Sequence, residues 1–318
     1  MEQLSTVWTK LALTLCAVIF GWQVYRAAIQ PVSSAEAYQY DRFVRPTFRQ
    51  TLARELPNRE LLYTLLEKRS VGLFHLSPFS IRLPSLLFAI LYLWSAWRIG
   101  RLLFGSGPLF FAAVGFAGLI PLAVDCFSYA GGLGAALALQ LLTIHLVQIR
   151  NLNLAGTCLG LSVAACLGFA IPAAVLAALL LVYIKQWDLW ADRILVPACV
   201  AALVFLVLPL SHAHASPELP PAITVSEAAW LQSALHLLRS DAGSNHARIA
   251  ASAAAEPIVN FYRAEYRMSH WERAERNLVN GGFDYYFLVG ADTELADQRH
   301  LVVLSRDGDF LLARKSSD

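Results

Sequence analysis

The sequence predicts a polytopic α-helical membrane protein with about seven spans, followed by a small C-terminal α/β domain outside the membrane. Hydrophobic residues make up 57% of the chain and charged residues only 15%, whereas soluble chains average about 25% charged residues. The charges are also unevenly spread: residues 108–149 contain only Asp125, and residues 153–184 contain none. Mixed polar and apolar patterning resumes towards the C-terminus. We therefore expect a membrane core over 1–210 and an extramembrane domain over 217–318.

Long apolar stretches define the predicted spans. They cover residues 7–28, 83–99, 109–122, 130–148, 154–169, 171–184 and 194–210. Residues 153–184 are too long for one ordinary span, and Pro172 is a plausible hairpin point between two. Lys10 precedes the first apolar stretch, which has no convincing signal-peptidase site. The sequence therefore predicts a retained signal anchor.

Basic residues in the short connections predict the orientation of the spans. They occur near the first span and then in alternate connections, as Lys10, Arg98, Arg101, Arg150, Lys185 and Arg193. The connections around Asp125 and Pro172 contain no Lys or Arg. The N-terminus is therefore expected in the cytoplasm, with the loop 33–82 and the C-terminal domain on the outer face. That loop is itself basic, but long loops translocate largely regardless of charge.

The C-terminal region alternates helical and strand patterns. Residues 226–241 predict a helix with Ser226 as a possible N-cap, and residues 256–278 predict one or two more. Residues 248–254 and 283–290 predict strands, and residues 300–315 predict a hairpin around Asp307-Gly308. The region lacks a Gly-rich phosphate loop, so it carries no nucleotide-binding fingerprint. Nor does the chain carry a basic stripe or motif that would indicate a nucleic-acid partner.

The loop 33–82 predicts amphipathic helices lying at the membrane surface. Its apolar stripe repeats every four residues, as Tyr40, Val44, Phe48 and Leu52, and Arg42, Arg45 and Arg49 fall off that stripe. Pro46 is expected to restart the helix, and Asn58 to cap a second helix that reaches Lys68. The arginines either face lipid headgroups or hold the phosphate of a lipid-linked substrate, since guanidinium binds phosphate in a bidentate manner.

Two acids, Glu36 and Asp41, follow the first predicted span closely. An acid near a membrane is costly unless it is paired, solvated or functional. Either carboxylate could act as a general base on an acceptor hydroxyl. The alternative is a structural ion pair with Arg42 or Arg45.

Two further segments carry a family resemblance. Ser77-Pro78-Phe79 precedes Arg82-Leu83-Pro84-Ser85, and the apolar stretch after it closes with Leu103-Phe104-Gly105. Upstream, the chain reads Ala35-Glu36-Ala37-Tyr38. Over residues 30–210 these features resemble GT-C type membrane glycosyltransferases, such as bacterial aminoarabinose transferases and protein O-mannosyltransferases. Those enzymes usually have Ser-Glu-Phe before Arg-Leu-Pro-Ser, and an Asp-Glu pair, a small residue and an aromatic after the first span.

The chain departs from that family pattern at several positions. Ala35 stands where the catalytic aspartate is expected, and Asn58-Arg59 stands where many members have Asn-His. Where many members carry an arginine and a tyrosine in the next outer connection, this chain has Gly131 and Leu133. Each departure removes a polar group that could hold a phosphate or a sugar.

The resemblance implies a transferase of the bacterial inner membrane that moves a sugar from a polyprenyl-phosphate carrier to an acceptor on the outer face. Glu36 or Asp41 would then take the place of the missing aspartate, as the catalytic base or as the carboxylate that positions the acceptor. The residues expected to bind substrate are Tyr38, Tyr40, Arg42, Arg45, Asn58, His75, Arg82 and Asp125. Among them, Arg82 and the loop arginines would hold the carrier phosphate.

Other functions stay open at this point. A non-catalytic relative would use the same core as a membrane scaffold or lipid-binding partner, with the C-terminal domain as an interaction module. A transporter is a weaker alternative, because no span carries paired intramembrane charges. A divalent metal ion is a further possibility, since His212 and His214 flank Ala213, although the sequence offers no evident third ligand.

Overall fold

The computed structural model describes residues 2–47, 50, 60–184, 187–210, 223–243, 245–276, 278 and 282–316. Helices dominate the chain, and a small sheet lies near its C-terminus, which confirms the predicted combination in coarse form. Contacts divide the chain into two compact units. The helical unit comprises Met1–Ile29, Thr47–His75 and Phe79–Ser216, and the sheet unit comprises Gln30–Pro46, Leu76–Pro78 and Pro217–Asp318.

After the long segment that separates the first helix from the second, the helices of the first unit follow one another through short connections. They are α1 (Glu2–Ile29), α3 (Leu61–Phe74), α4 (Pro78–Phe104), α5 (Pro108–Leu119), α6 (Pro121–Ser128), α7 (Gly132–Gln148), α8 (Leu152–Ala165), α9 (Ala170–Ile184), α10 (Trp187–Trp190) and α11 (Val196–Leu210). A 3₁₀ turn, Leu167–Phe169, precedes α9, and a π turn, Ala191–Leu195, joins α10 to α11. Here α2 denotes Ser34–Gln39 of the sheet unit.

Seven spans are not supported, although apolar helices cover every predicted stretch. Among the described residues, three helices are long and apolar enough to cross a membrane: Thr6–Ile29, Pro78–Phe104 and Leu167–Ile184. Helices α5 and α6, which are bent by 51° relative to each other, would make a fourth candidate span if they are counted as one. The helices α7 and α8 contain 17 and 14 residues. At about 1.5 Å per residue both are shorter than a hydrocarbon core of about 30 Å.

Small residues allow close helix packing in this unit. A Cβ atom on Gly156 would meet the Ile194 carbonyl oxygen at 2.5 Å, and one on Gly160 would overlap the backbone of Ala198. Glycines four positions apart lie on one face of a helix, so α8 approaches the segment 194–198 backbone to backbone. Side chains then fill the space around this contact, including Tyr63, Leu139 and Leu159.

The sheet unit contains four strands in the order β1-β2-β4-β3. The strands are β1 (Ile249–Ala251), β2 (Tyr285–Val289), β3 (Val302–Asp307) and β4 (Phe310–Arg314). Strands β1 and β2 are parallel, and the other pairs are antiparallel. The predicted hairpin is confirmed: β3 and β4 pair around Gly308, whose φ of 54° suits glycine at a tight turn.

Helices of the sheet unit differ in detail from the sequence-based expectation. Helix α12 (Val225–Ala242) is capped by Thr224 rather than Ser226, because Thr224 and Glu227 form a reciprocal capping box. Helix α13 (Glu256–Glu265) ends well before residue 278, and the chain then forms isolated bridges at Trp271 and Glu275. The short α14 (Glu294–Gln298) precedes β3.

The sheet unit also contains Gln30–Pro46, which the sequence placed in a loop of the membrane core. Helix α2 continues into a π turn, Tyr40–Val44, that stops before Pro46, so this proline does not sit inside a helix. The predicted restart after Pro46 runs through Phe48 and Arg49, which lie outside the described residues. The backbone N–H of Val32 donates to the Tyr262 hydroxyl at 3.0 Å, and that of Ile223 donates to Ser34 Oγ at 3.3 Å. These long-range contacts are the physical reason for the grouping.

The second loop helix, α3, is also present. It begins at Leu61 with Glu60 before it, and it extends past the predicted end at Lys68 to Phe74. Asn58, the predicted cap, and the stripe residues Phe48 and Leu52 lie outside the described residues.

Candidate functional site

A cleft of about 600 Å³ lies within the sheet unit, between α2, its π turn and the first residues of α13. It is lined by Tyr38, Asp41, Arg42, Glu256, Pro257, Glu272, Arg273, Ala274, Glu275 and Arg276. The volume is in the range of small-molecule sites. Its wall carries four acids and three arginines, so it can contact both an anion and hydroxyl groups.

Asp41 is held by two guanidinium groups. Arg45 Nη1 donates to Asp41 Oδ1 at 3.0 Å, and Arg273 Nη2 contacts Asp41 Oδ2. The Asp41 side chain is 15% exposed, whereas both arginines are 47% exposed. The π turn explains the first contact, since it brings Asp41 and Arg45 together at an i,i+4 spacing.

Glu256 is the second anchored acid of the cleft. Its Oε1 accepts from Asn260 Nδ2 at 2.6 Å, and its Oε2 accepts from Arg276 Nε at 3.1 Å. Arg273 lies 3.8 Å from Glu256 Oε1, so this guanidinium stands between Asp41 and Glu256. Charge-assisted hydrogen bonds of this kind fix side-chain positions before a ligand arrives.

Positive charge is concentrated beside the cleft. Burial, and then the neighbouring guanidiniums of Arg45 and Arg273, lower the pKa of Arg263. Arg263 itself donates to the Trp271 carbonyl oxygen through Nε at 2.8 Å. The carboxylates of Asp41 and Glu256 pair with Arg45, Arg273 and Arg276 and offset this charge in part, so the cleft carries both signs of charge.

Tyr38 lines the cleft and carries a buried hydroxyl. Its hydroxyl oxygen is buried and has no hydrogen-bond partner among the described residues. The ring lies edge-to-face on Phe43, with 6.4 Å between centroids. A buried hydroxyl without a partner costs free energy, so this atom is suited to a ligand or an ordered water.

Glu36 has a structural position instead. It is 2% exposed, and its Oε2 accepts from the Ser33 backbone N–H at 2.9 Å and from Ser33 Oγ at 3.1 Å. Glu36 N–H donates back to Ser33 Oγ, which completes a capping box at the start of α2. The two candidate catalytic acids therefore have different surroundings, and Asp41 is the one that lines the cleft.

The aromatic residue Tyr40 packs in the core of the sheet unit. It is 9% exposed, and its ring lies edge-to-face on Phe261, with 5.4 Å between centroids. Of the described residues that were expected to bind substrate, Tyr38 and Arg42 line the cleft with Asp41, and Arg45 joins them through its ion pair.

Arg82 and Asp125 lie in the helical unit. Arg82 is fully buried, its Nη1 donates to the Ala27 carbonyl oxygen at 3.1 Å, and its guanidinium lies 5.7 Å from the Tyr129 ring centroid. Asp125 pairs with Arg26 at 2.8 Å, and Arg26 also lies over Tyr129. Cation–π and hydrogen-bond contacts account for both arginines as parts of helix packing.

His75 is exposed at the C-terminal end of α3, where its φ is 62°. Asn58 lies outside the described residues, as do His212 and His214. Within the described part of the chain, no group of three His, Cys, Asp or Glu side chains could hold a metal ion. The described residues therefore do not provide a site for the divalent metal considered above.

Sequence reasoning missed the contribution of residues 272–276 to the cleft. Their pattern, Glu-Arg-Ala-Glu-Arg, reads as a charged helix face, but the segment is extended. Asn260 is the reason: its Nδ2 donates to the Ala274 carbonyl at 3.2 Å and its Oδ1 accepts from the Ala274 N–H at 2.9 Å. The dense alternation of acids and arginines was the available signal for a charged site.

Searches for similar proteins give no further guide to this cleft. No protein-family model, curated protein or solved structure matches the chain significantly.

Proposed function

We propose that this chain is a membrane-anchored glycosyltransferase that uses the cleft of the sheet unit, with the Asp41 carboxylate as its general base. The single observation that carries the proposal is the arrangement of Asp41, Tyr38 and three arginines around one cleft of about 600 Å³. The three long apolar helices support a membrane location. The bacterial inner membrane, a cytoplasmic N-terminus and an outward-facing sheet unit belong to this proposal.

The chemistry follows from the side chains of the cleft. The Asp41 carboxylate would accept the proton of an acceptor hydroxyl while the oxygen of that hydroxyl bonds to the anomeric carbon of the donor sugar. The bond between that carbon and the phosphate oxygen would break, leaving a polyprenyl phosphate. Arg42, Arg273 and Arg276 would stabilise its charge, because guanidinium groups bind phosphate with matched geometry. Tyr38 would donate a hydrogen bond to the sugar or the phosphate.

The residues that would bind the phosphate differ from those expected from the sequence. The fully buried Arg82 bonds to a backbone carbonyl, so we assign the phosphate to the cleft arginines instead. The long apolar helices would then supply the membrane anchor. The acceptor is a hydroxyl-bearing molecule on the same side as the sheet unit.

The test uses the full-length protein in detergent or nanodiscs with a panel of radiolabelled polyprenyl-phosphate sugars. We expect Asp41→Asn to lower turnover by at least about 100-fold, because a positioned general base contributes that much. Glu36→Gln is the matched control, because it changes an acid of the same segment that serves as a cap. It should lower stability by about 1 kcal/mol and keep turnover.

A second function, a non-catalytic binding protein, is favoured by one observation. Asp41 is paired with two guanidiniums, which compete with an acceptor hydroxyl for the same carboxylate. In that case the panel would show saturable donor binding without turnover, and Arg273→Gln would weaken the binding. Turnover that survives Asp41→Asn would contradict the catalytic assignment.

A further inference from the structure

A second cavity, of about 440 Å³, lies in the helical unit where α7 meets α8. It is lined by Ile149, Arg150, Asn151, Leu152, Asn153 and Arg193. Arg193 belongs to the π turn before α11, 40 positions further along the chain than Asn153. The glycine contact described above brings the two parts together, since a Cβ on Gly156 would lie 3.0 Å from the Arg193 carbonyl oxygen.

The two guanidiniums of this cavity are available to a ligand. Both side chains are exposed, and neither guanidinium forms a hydrogen bond or ion pair with the part of the chain that the structure describes. Asn151 and Asn153 add amide groups to the same wall. Asp192 precedes Arg193 but is not among the lining residues, so the described lining carries two positive charges and no acid.

Apolar side chains line this charged cavity or neighbour its lining residues in the chain. Ile149 is 49% exposed, Leu154 is 46% exposed, and Leu195 and Val196 are 38% and 53% exposed. A free phosphate ion would make no favourable contact with these apolar side chains. A phospholipid would place its phosphate on the arginines and its acyl chains along the exposed apolar residues.

We propose that Arg150 and Arg193 form a binding site for the phosphate of an anionic phospholipid. The inference rests on the proposed membrane location and is independent of the transferase assignment. Two guanidiniums favour an anionic headgroup over a zwitterionic one, because the latter brings its own cation to the cavity.

The test measures lipid binding to the delipidated full-length protein in a neutral detergent by native mass spectrometry. The probes are dioctanoyl phosphatidylglycerol, dioctanoyl phosphatidylcholine and inorganic phosphate. We expect saturable binding of one phosphatidylglycerol per chain, at least about tenfold tighter than phosphatidylcholine. Arg150→Gly and Arg193→Gln should each weaken it by about tenfold.

The variants separate loss of the site from loss of the fold. Arg150 has φ of 61°, a left-handed conformation that glycine adopts without strain, so Arg150→Gly should be at least as stable as the parent. Arg101→Gln is the matched control: Arg101 is an exposed helix-end arginine whose side chain lies over Trp97. It should change binding less than twofold.

Three outcomes would overturn the proposal. The first is equal binding of phosphatidylglycerol and phosphatidylcholine. The second is an equal loss of binding in Arg101→Gln, which would indicate a diffuse basic surface. The third is displacement of the lipid by millimolar inorganic phosphate, which would indicate a site for a free anion. A failed sugar-transfer assay would leave all three results unchanged.

Discussion

The guanidinium of Arg273 contacts the carboxylate of Asp41, although the two residues are 232 positions apart in the chain. The contact joins the segment that follows the first long helix to the charged extended segment after α13. It also places the candidate catalytic acid within a cleft whose other wall comes from the C-terminal region.

This ion pair should make a small, measurable contribution to stability. Arg273 is 47% exposed, so solvent screens the pair, and we expect a coupling of about 0.5–1 kcal/mol. The measurement is a double-mutant cycle of Asp41→Asn and Arg273→Gln by chemical denaturation of the full-length protein. Arg248 with Glu272, a pair exposed on both sides, is the comparison. A coupling of zero would mean that the two side chains do not meet in solution.

Packing of α8 predicts a strong effect of adding one methyl group. In Gly160→Ala the new Cβ would overlap the backbone of Ala198, so the helices must separate. We expect a loss of about 2–4 kcal/mol in the free energy of unfolding. Gly21→Ala is the control, because its Cβ would meet nothing within 4 Å. Gly21→Ala should raise the free energy of unfolding by up to about 1 kcal/mol. Equal changes in the melting temperatures of the two variants would contradict the close packing of α8.

The carboxyl of Glu265 is expected to make the stability of the sheet unit depend on pH. Burial raises the pKa of its carboxyl from 4.5 to about 7, and its Oε2 is buried without a hydrogen-bond partner among the described residues. The folded state therefore holds the proton more tightly than the unfolded chain. Stability from this group is fully present below pH 4.5 and is lost as the pH rises to about 7.

The change is measured as the melting temperature of the full-length protein between pH 5 and pH 8. Allowing for partial exposure, we expect a loss of roughly 1–2 kcal/mol across that interval. Glu265→Gln should remove this slope and be the more stable form at pH 8. Glu294→Gln, which changes an exposed acid, should keep it. An unchanged slope in Glu265→Gln would assign the pH dependence to another group.

The hydroxyl of Tyr262 is expected to protect the segment 30–46 from local unfolding and hydrogen exchange. Both Tyr262 and Val32 are fully buried, so Tyr262→Phe leaves the Val32 N–H without its acceptor. We expect a cost of about 1–3 kcal/mol and faster hydrogen exchange at the Val32 amide. Tyr266→Phe is the control, because its hydroxyl bonds to Gln232 and His236. If both variants accelerate exchange at Val32 equally, the effect is global rather than local.

Local patterns predicted many elements correctly. The hairpin around Asp307-Gly308 and the strand before it follow from turn chemistry and β-branched or aromatic runs. The number of spans could not be predicted in this way, because hydropathy measures the apolar character of a segment but does not show where a helix ends. Cys166, for example, has an extended backbone that ends α8 after 14 residues within an uncharged stretch.

The candidate site was only half predictable. Asp41, Tyr38 and Arg42 were identified from their place after the first span, and they do line the cleft. Arg273, Arg276 and Glu256 were missed because their approach depends on tertiary contacts such as the Asn260 bonds to Ala274. Periodicity describes neighbours along one helix or strand, and it carries no information on partners two hundred residues away.

The joining of Gln30–Pro46 to the C-terminal residues has a consequence for biosynthesis. Synthesis proceeds from the N-terminus, so this segment emerges long before strands β2 to β4 exist. Its buried contacts, such as Val32 with Tyr262, must wait until nearly the whole chain has left the ribosome. We therefore expect the sheet unit to fold after translation, and C-terminal truncations to leave an exposed, protease-sensitive N-terminal segment rather than a smaller stable protein.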